Sequence, residues 1–204
     1  MKALITGASS GIGKEMALYL SQIGYDLYLV GRNEDALKEV SSRCNNAKYY
    51  IYDLSDTSNA YKLYDELKNV KIDLLVNNAG FGLFGYFNKT DLNRELEMIN
   101  VNIVSLHILS KLFLKDMVKR NRGKILNVAS SAGFFAGPYL STYYATKNYV
   151  LKLTMAISEE LKRQNSKVTV SALCPGPVDT GFNKVAGGHF NTSSLTSKYV
   201  ARVS

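Results

Sequence analysis

Two side chains that could move a proton, Tyr143 and Lys147, stand four residues apart. Residues at this spacing share one face of a helix, so the phenol and the ammonium would point at the same cleft. A free tyrosine has a pKa of about 10, and a nearby positive charge favours the phenolate and lowers that value. Tyr143 is one of 14 tyrosines, and a surface tyrosine beside a helical lysine is the simpler interpretation of this pair alone. Other groups must converge here for acid–base chemistry.

The segment from Thr6 to Gly13, TGASSGIG, is a glycine-rich turn between a short apolar run and a stretch with helical periodicity. Glycines allow a tight turn and let the backbone approach a pyrophosphate, which then lies at the positive end of the helix dipole. Glycines often serve only the turn itself, but the place of this one between strand and helix favours dinucleotide binding.

The residue that follows the second apolar run, Arg32, bears on which dinucleotide would bind. An acidic side chain at this strand end would hold ribose hydroxyls, whereas a guanidinium attracts a 2′-phosphate. We therefore predict NADP(H), with Ser9 and Ser10 as further hydroxyl donors to that phosphate. The nearby Glu34 and Asp35, and the simpler role of an exposed arginine entering a helix, keep NAD open.

Short apolar runs alternate with helix-period stretches along the chain, which predicts an α/β fold. The predicted strands are Lys2–Thr6, Asp26–Val30, Ala47–Tyr52, Leu74–Asn77, Lys124–Ala129 and Lys167–Leu173. The predicted helices are Ile12–Ile23, Glu34–Arg43, Thr57–Leu67, Leu92–Met117 and Tyr144–Gln164. Right-handed crossovers then give a Rossmann-type, doubly wound parallel sheet with helices on both faces, as a single domain over residues 1–204. Such sheets bind ligands beyond the carboxyl ends of their strands, where the candidate residues fall.

Composition argues against several classes of protein. Lysine and arginine exceed aspartate and glutamate by 25 to 17, but they are scattered, so we expect no nucleic-acid partner. No apolar run approaches the roughly 20 residues of a membrane span, and we expect a cytoplasmic protein. Cys44 and Cys174 lie far apart, and His107 and His189 lack partners at ligand spacing, so no metal site is predicted.

The spacing TGxxxGxG resembles the short-chain dehydrogenase/reductase family, and the resemblance extends along nearly the whole chain. Residues 77–80 match its NNAG motif, residues 175–180 its PGxVxT segment, and residues 53–54 its adenine-contacting aspartate. The turn and the resemblance together imply a set of cofactor-binding residues: Gly7, Ser9, Ser10, Gly11, Ile12, Gly13, Arg32, Asp53, Leu54, Asn78, Ala79, Gly80, Tyr143, Lys147, Pro175, Gly176, Val178 and Thr180.

The resemblance also implies partners for Tyr143. Ser130 precedes it by 13 residues, the spacing of the family's serine, with Ser131 as the competing assignment. Asn102 resembles the asparagine that completes the family's catalytic tetrad, with Asn100 as the weaker candidate.

Roles follow from the resemblance. Tyr143 would donate a proton to the carbonyl oxygen, which Ser130 would hold, and Lys147 would lower the tyrosine pKa and contact the nicotinamide ribose. Asn102 would maintain a water relay to the lysine. The sequence thus predicts an NADP(H)-dependent oxidoreductase acting on a small carbonyl or alcohol substrate, most simply a ketone or aldehyde reductase (a carbonyl reductase). The alternative is a non-catalytic NADP(H)-sensing regulatory protein.

Two features bear on substrate and assembly. Aromatic residues after the fourth and fifth strands would form an apolar substrate wall: Phe81, Phe84, Tyr86, Phe87, Phe134, Phe135 and Tyr139. Family members continue past this C-terminus, whereas Thr192–Ser204 ends within a predicted helix opened by Ser194. We therefore expect a truncated C-terminus that lacks the last strand and leaves an exposed sheet edge. The resemblance implies a homo-oligomer, either a dimer or a tetramer.

Overall fold

Six short apolar segments form one parallel sheet. The computed structural model describes residues 1–187 and 194–203. Its strands are β1 (Lys2–Thr6), β2 (Asp26–Gly31), β3 (Ala47–Ile51), β4 (Leu74–Asn77), β5 (Lys124–Val128) and β6 (Thr169–Leu173). They lie in the order β3-β2-β1-β4-β5-β6, so the direction of winding switches between β1 and β4, where such sheets bind ligands. The predicted Rossmann-type α/β fold is confirmed.

Helices cover both faces of the sheet. They are α1 (Gly11–Gln22), α2 (Glu34–Ser42), α3 (Ser58–Leu67), α4 (Leu92–Ile99), α5 (Leu106–Lys119) and α6 (Ser141–Arg163). Along β1, Leu4 packs into the core cluster of α3 and α5 while Ile5 packs into that of α1 and α2, because successive strand residues face opposite sides.

Two predicted helices differ from the structure. The sequence pattern predicts an uninterrupted helix over Leu92–Met117, but a π-helical turn at Asn100–Ser105 separates α4 from α5. Such turns insert an extra residue and re-aim the side chains that follow. In addition, α6 begins at Ser141 rather than at Tyr144, which places Tyr143 within its first turn.

By length and composition alone, the continuous helical segment Leu92–Lys119 could cross a membrane. Half of its most apolar window is buried inside the protein. Leu109, Phe113 and Met117 belong to the core cluster under the sheet. We therefore describe it as a core helix.

The last described residues cover α1. A two-residue strand, β7 (Val178–Asp179), and a short helix, α7 (Phe182–Ala186), follow β6, and β7 pairs in parallel with β8 (Leu195–Thr196). The final helix, α8 (Ser197–Val203), packs on α1 and begins three residues later than predicted, because residues 195–196 pair as a strand. Thr192, Ser193, Ser204 and His189 lie outside the described residues. In the part of the chain that the structure describes, β6 forms one edge of the sheet.

Candidate active site

The glycine turn brings backbone close to the cleft at the carboxyl end of β1. Gly7 and Gly11 have φ values of +65° and +53°, a left-handed conformation that glycine adopts without steric cost. A Cβ on Gly13 would lie 2.3 Å from the carbonyl oxygen of Gly7, so the helix start packs directly against the turn. Ser10 precedes α1 without capping it through its side chain. The first N–H groups of α1 are therefore available to an anion.

The NNAG segment fastens the turn from the neighbouring strand. Asn78 Nδ2 donates to the carbonyl oxygens of Thr6 and Gly7 at 3.0 and 3.1 Å. In return, Thr6 Oγ1 accepts hydrogen bonds from the backbone N–H groups of Asn78 and Ala79, both at 3.0 Å. This second asparagine of the motif thus holds the shape of the phosphate-binding turn.

The ends of β2 and β3 carry the groups expected near the adenosine. Arg32 and Asp53 both line the cleft, and their charged groups lie 3.5 Å apart on the surface. Burial raises the pKa of Asp53, but hydrogen bonds from Ser55 and the charge of Arg32 outweigh it, so that the pKa is lowered. Ser9 Oγ lies 3.3 Å from the position of a Cβ on Gly31, so the turn and the end of β2 are in contact. A guanidinium and a serine hydroxyl therefore flank the same corner of the cleft.

Tyr143 and Lys147 both line the cleft from α6. Lys147 is buried and its ammonium donates to the carbonyl oxygen of Val128 at 2.8 Å. Burial lowers the pKa of Lys147 to about 8. The ammonium lies 5.8 Å from the centre of the Tyr143 ring.

The expectation that Lys147 lowers the pKa of Tyr143 is not met. Burial raises the pKa of Tyr143, and among the described residues it is the Ser130 hydroxyl that lowers it. The physical reason is that the phenolate would be desolvated, which disfavours the charged form. The chain's own groups therefore keep the phenol protonated at neutral pH.

Ser130, rather than Ser131, reaches the phenol. Ser130 Oγ accepts from Ala132 N at 3.2 Å and donates to the carbonyl oxygen of Pro175 at 3.5 Å, and its hydroxyl is near enough to lower the pKa of Tyr143. Ser131 begins a 3-10 turn (Ser131–Phe134) that follows β5 and also borders the cleft. The spacing-based choice of Ser130 therefore agrees with the geometry.

Asn102 lies behind the wall of the cleft and is fully buried. Its Nδ2 donates to the carbonyl oxygen of Phe81 at 2.9 Å and to Thr146 Oγ1 at 3.0 Å, and its Oδ1 accepts from Phe81 N at 3.1 Å. A Cβ on Gly80 would come within 2.9 Å of Asn102 Oδ1 and 3.5 Å of the Lys147 ammonium. Asn102 thus joins the segment after β4 to α6, beside Lys147.

The rest of the π-helical turn supports the opposite part of the cleft. Asn100 Nδ2 donates to the carbonyl oxygen of Ser55 at 3.0 Å, and Ser105 Oγ donates to that of Leu54 at 2.7 Å. The competing candidate, Asn100, therefore faces the segment after β3, whereas Asn102 faces α6.

One cleft of about 640 Å³ joins these groups, a volume within the range of small-molecule sites. Of the predicted residues, only Gly13 and Asn102 lie behind its surface. The others line it: Gly7, Ser9, Ser10, Gly11, Ile12, Arg32, Asp53, Leu54, Asn78, Ala79, Gly80, Ser130, Tyr143, Lys147, Pro175, Gly176, Val178 and Thr180. Its glycine cradle, helix start and basic rim fit a nicotinamide dinucleotide.

The predicted aromatic wall is wrong for most of its members. Of its seven residues only Phe81 lines the cleft. The others are exposed outside it, where Tyr139 contacts the rings of Phe84 and Tyr86. They follow the correct strands, but the loops carry them past the rim.

Sequence reasoning missed Phe182, on the short helix α7. Its ring centre lies 5.1 Å from that of Tyr143, and a Cβ on Gly82 would come within 2.6 Å of it. The position of Phe182 two residues after Thr180, at the end of the PGxVxT segment, is the signal that could have found it. Phe182 therefore borders the space beside the phenol.

Comparison with known proteins agrees with this geometry. The family model for short chain dehydrogenases matches residues 1–188. An uncharacterized short-chain type dehydrogenase/reductase of Sinorhizobium fredii is 38% identical over 188 residues, which cover 91% of this chain and 73% of the relative.

Two solved structures share the fold. A short-chain dehydrogenase from Sphingobium yanoikuyae in complex with NADPH superposes with a TM-score of 0.92 at 28% identity, covering 98% of this chain and 81% of that one. A short-chain dehydrogenase/reductase from Burkholderia phymatum in complex with NAD gives 0.88 at 26% identity, covering 98% and 83%. The chain therefore belongs to the short-chain dehydrogenase/reductase family of oxidoreductases.

Proposed function

We propose that this protein is an NADP(H)-dependent reductase of ketones or aldehydes that also catalyses the reverse oxidation of the alcohol. The observation that carries the proposal is the convergence of Tyr143, Ser130 and Lys147 in the cleft that begins at the glycine turn. A site that only sensed the cofactor would have no use for a proton donor beside a hydroxyl group at this place. This argument favours the enzyme over the regulatory protein.

The bound dinucleotide supplies the hydride, and the chain supplies the proton. Tyr143 donates its phenolic proton to the carbonyl oxygen, as a positioned general acid that accelerates such a step by about 10²–10⁴-fold. A phenol with the ordinary pKa of about 10 is protonated at neutral pH, and burial raises the pKa of Tyr143 further, so the proton needed for reduction is present. The Ser130 hydroxyl holds the same oxygen and stabilises the charge that develops on it. Lys147 donates to the carbonyl oxygen of Val128, and its ammonium would contact the nicotinamide ribose.

In this proposal Asn102 does not touch the substrate but holds neighbouring segments in place. Its bonds to Phe81 and Thr146 fix the wall next to Lys147, and a water relay to the lysine would run past it.

A preference for NADP(H) is supported by Arg32 at the end of β2 and by the NADPH bound to the Sphingobium relative. The guanidinium lies at the cleft rim, 3.5 Å from the carboxylate of Asp53 in an exposed ion pair. A 2′-phosphate would gain charge-assisted hydrogen bonds from Arg32.

A turnover assay tests the proposal. Purified protein, NADPH and a panel of aldehydes and ketones are followed at 340 nm, and we expect oxidation of NADPH with at least one of them. Tyr143→Phe should lower kcat by about 10²–10⁴-fold, because it removes the proton donor, while NADPH affinity from fluorescence titration stays close to wild type. Binding of NADPH without turnover across the panel would favour the regulatory protein instead.

A further inference from the structure

Glu95 on α4 is a buried carboxylate that the proposed chemistry does not use. Its residue is 8% exposed. Both oxygens accept hydrogen bonds from threonine hydroxyls: Oε2 from Thr142 at 2.8 Å, and Oε1 from Thr90. Removing a carboxylate from water costs free energy that only such bonds offset. Because a carboxylate is so costly to bury, we expect its two threonine bonds to have a structural role.

A second contact between the same two helical segments repeats the arrangement. Asn102 follows Glu95 by seven residues and donates to Thr146 Oγ1 at 3.0 Å. Glu95 and Asn102 both bond threonines of α6, so the two side chains face the same helix. Thr142 and Thr146 are four residues apart and share a face of α6. The two bonds thus form a ladder between these segments, with Glu95–Thr142 and Asn102–Thr146 as its rungs.

Each threonine of this ladder directly precedes a reactive residue, Thr142 before Tyr143 and Thr146 before Lys147. Successive residues of an α-helix are rotated by about 100° around its axis. When the threonines face α4, the reactive pair is therefore turned towards the cleft. We infer that Glu95 is a positioning residue, which through Thr142 fixes the rotation of the first turn of α6 and so aims the Tyr143 phenol at Ser130.

The other oxygen of Glu95 extends the same support to the segment between β4 and α4. Thr90, which donates to that oxygen, also contacts the carbonyl oxygen of Phe87 at 3.3 Å. The same segment is bonded to the loop before α6, through Gly85 N and the carbonyl oxygen of Tyr139 at 2.8 Å. One carboxylate therefore ties the start of α6 to the segment between β4 and α4.

The inference rests on the proposed function, because it assigns Tyr143 the proton. Its test begins with Thr142→Val, which keeps the shape of the side chain and removes the hydroxyl. We expect kcat to fall about tenfold, as small misplacements of reacting groups do, with NADPH affinity unchanged. Thr142→Ser restores the hydroxyl and should restore kcat. Glu95→Met removes the acceptor of both threonine bonds. Adding it to Thr142→Val should lower kcat little further, because the bond to α6 is already broken.

Thr154→Val is the matched control. Thr154 is likewise a hydrogen-bonded threonine of α6, buried where Thr142 is half-buried, and its hydroxyl accepts from Asn127 Nδ2 at 2.9 Å and donates to the carbonyl oxygen of Val150 at 2.7 Å. It lies about three turns from Tyr143. This variant should lose thermal stability much as Thr142→Val does, and its kcat should stay within about twofold of wild type. Equal kcat in the two valine variants would overturn the inference.

Hydrogen exchange over residues 140–148 separates this inference from the proposed function. Thr142→Val should accelerate exchange in this segment, whereas Thr154→Val should not. If the wild-type protein turns over no carbonyl, the proposed function fails, and faster exchange in Thr142→Val still supports the positioning role. Unchanged exchange would overturn that role whatever the turnover.

Discussion

The two halves of the cleft are built by different means. On the nucleotide side, backbone forms the surface: Gly7 and Gly11 take left-handed conformations, and Gly13 packs against a carbonyl oxygen. On the reactive side, hydrogen bonds of buried side chains fix the shape of the cleft: Lys147 bonds the carbonyl oxygen of Val128 and Asn102 bonds that of Phe81.

Because the two halves are built differently, we expect the nucleotide side to control cofactor binding and the reactive side to control turnover. A backbone cradle depends on the absence of side chains. Adding a side-chain atom should therefore disturb it and weaken cofactor binding. A side-chain arrangement depends on hydrogen bonds between residues far apart in sequence. Removing a donor should therefore disturb it and lower kcat. Substitutions in each half of the cleft can therefore test this division.

Lys147→Met tests the burial of charge in the reactive half. The folded protein holds the pKa of Lys147 at about 8, whereas an unfolded lysine titrates at about 10.4. Between these values the unfolded state binds more protons, so the contribution of Lys147 to stability rises with pH, by about 3 kcal/mol in all. Below pH 8 both states are protonated and the full burial penalty applies.

The measurement is urea unfolding of wild type and Lys147→Met between pH 7.5 and pH 10.5. Relative to the variant, wild type should gain stability as pH rises through this range. Lys152→Met, which removes an exposed lysine from the same helix, is the matched control. A constant difference between wild type and Lys147→Met would show that the ammonium is not desolvated.

Gly13→Ala tests the backbone cradle. Its Cβ would lie 2.3 Å from the carbonyl oxygen of Gly7, and relieving such a clash costs about 1–3 kcal/mol. We expect the Kd for NADPH, measured by fluorescence titration, to rise roughly 10–100-fold with that cost. Gly24→Ala is the control: Gly24 has a φ of +87° with nothing near its Cβ position, so the variant should lose stability and keep its affinity. Unchanged binding in Gly13→Ala would contradict the cradle.

Arg32→Ala tests the corner that would distinguish the two cofactors. Loss of a charge-assisted bond to the 2′-phosphate should raise the Kd for NADPH about tenfold and leave that for NADH nearly unchanged. The control is Arg43→Ala, an exposed arginine paired with Glu39 on α2. Equal loss of affinity for both cofactors would remove Arg32 from the phosphate site.

Phe182→Ala tests whether the ring beside Tyr143 limits the size of the substrate. Removing the ring beside Tyr143 enlarges the space for substrate, so kcat/KM for bulky ketones should rise severalfold relative to small ones. Phe135→Ala removes an exposed aromatic side chain outside the cleft and should leave this ratio unchanged. An effect of Phe135→Ala as large as that of Phe182→Ala would restore the aromatic wall that the structure places elsewhere.

The sequence is most informative where structure is local. Strand–helix alternation predicts all six strands of the sheet to within two residues at each end, and the glycine turn is recognisable because its spacing and place in the fold are both local features. The ladder between α4 and α6 could not be predicted, since it joins residues more than 40 positions apart through side chains common in many roles. The exposed aromatic residues show the same limit: order along the chain does not say how far a loop extends.

The pKa of Tyr143 fails as a prediction for a related reason. From the sequence, Lys147 is a positive charge one turn away, but desolvation depends on everything packed around the phenol. The structure makes burial the larger influence, so the sign of the shift reverses.

The π-helical turn carries a further consequence. Asn100 and Ser105 brace the adenosine side of the cleft, while Asn102, between them in the chain, braces the wall beside Lys147. A substitution in this turn would therefore be pleiotropic, altering the apparent affinities for dinucleotide and carbonyl compound together. Adaptation to new substrates is therefore expected in segments outside that shared brace, such as α7, which carries Phe182.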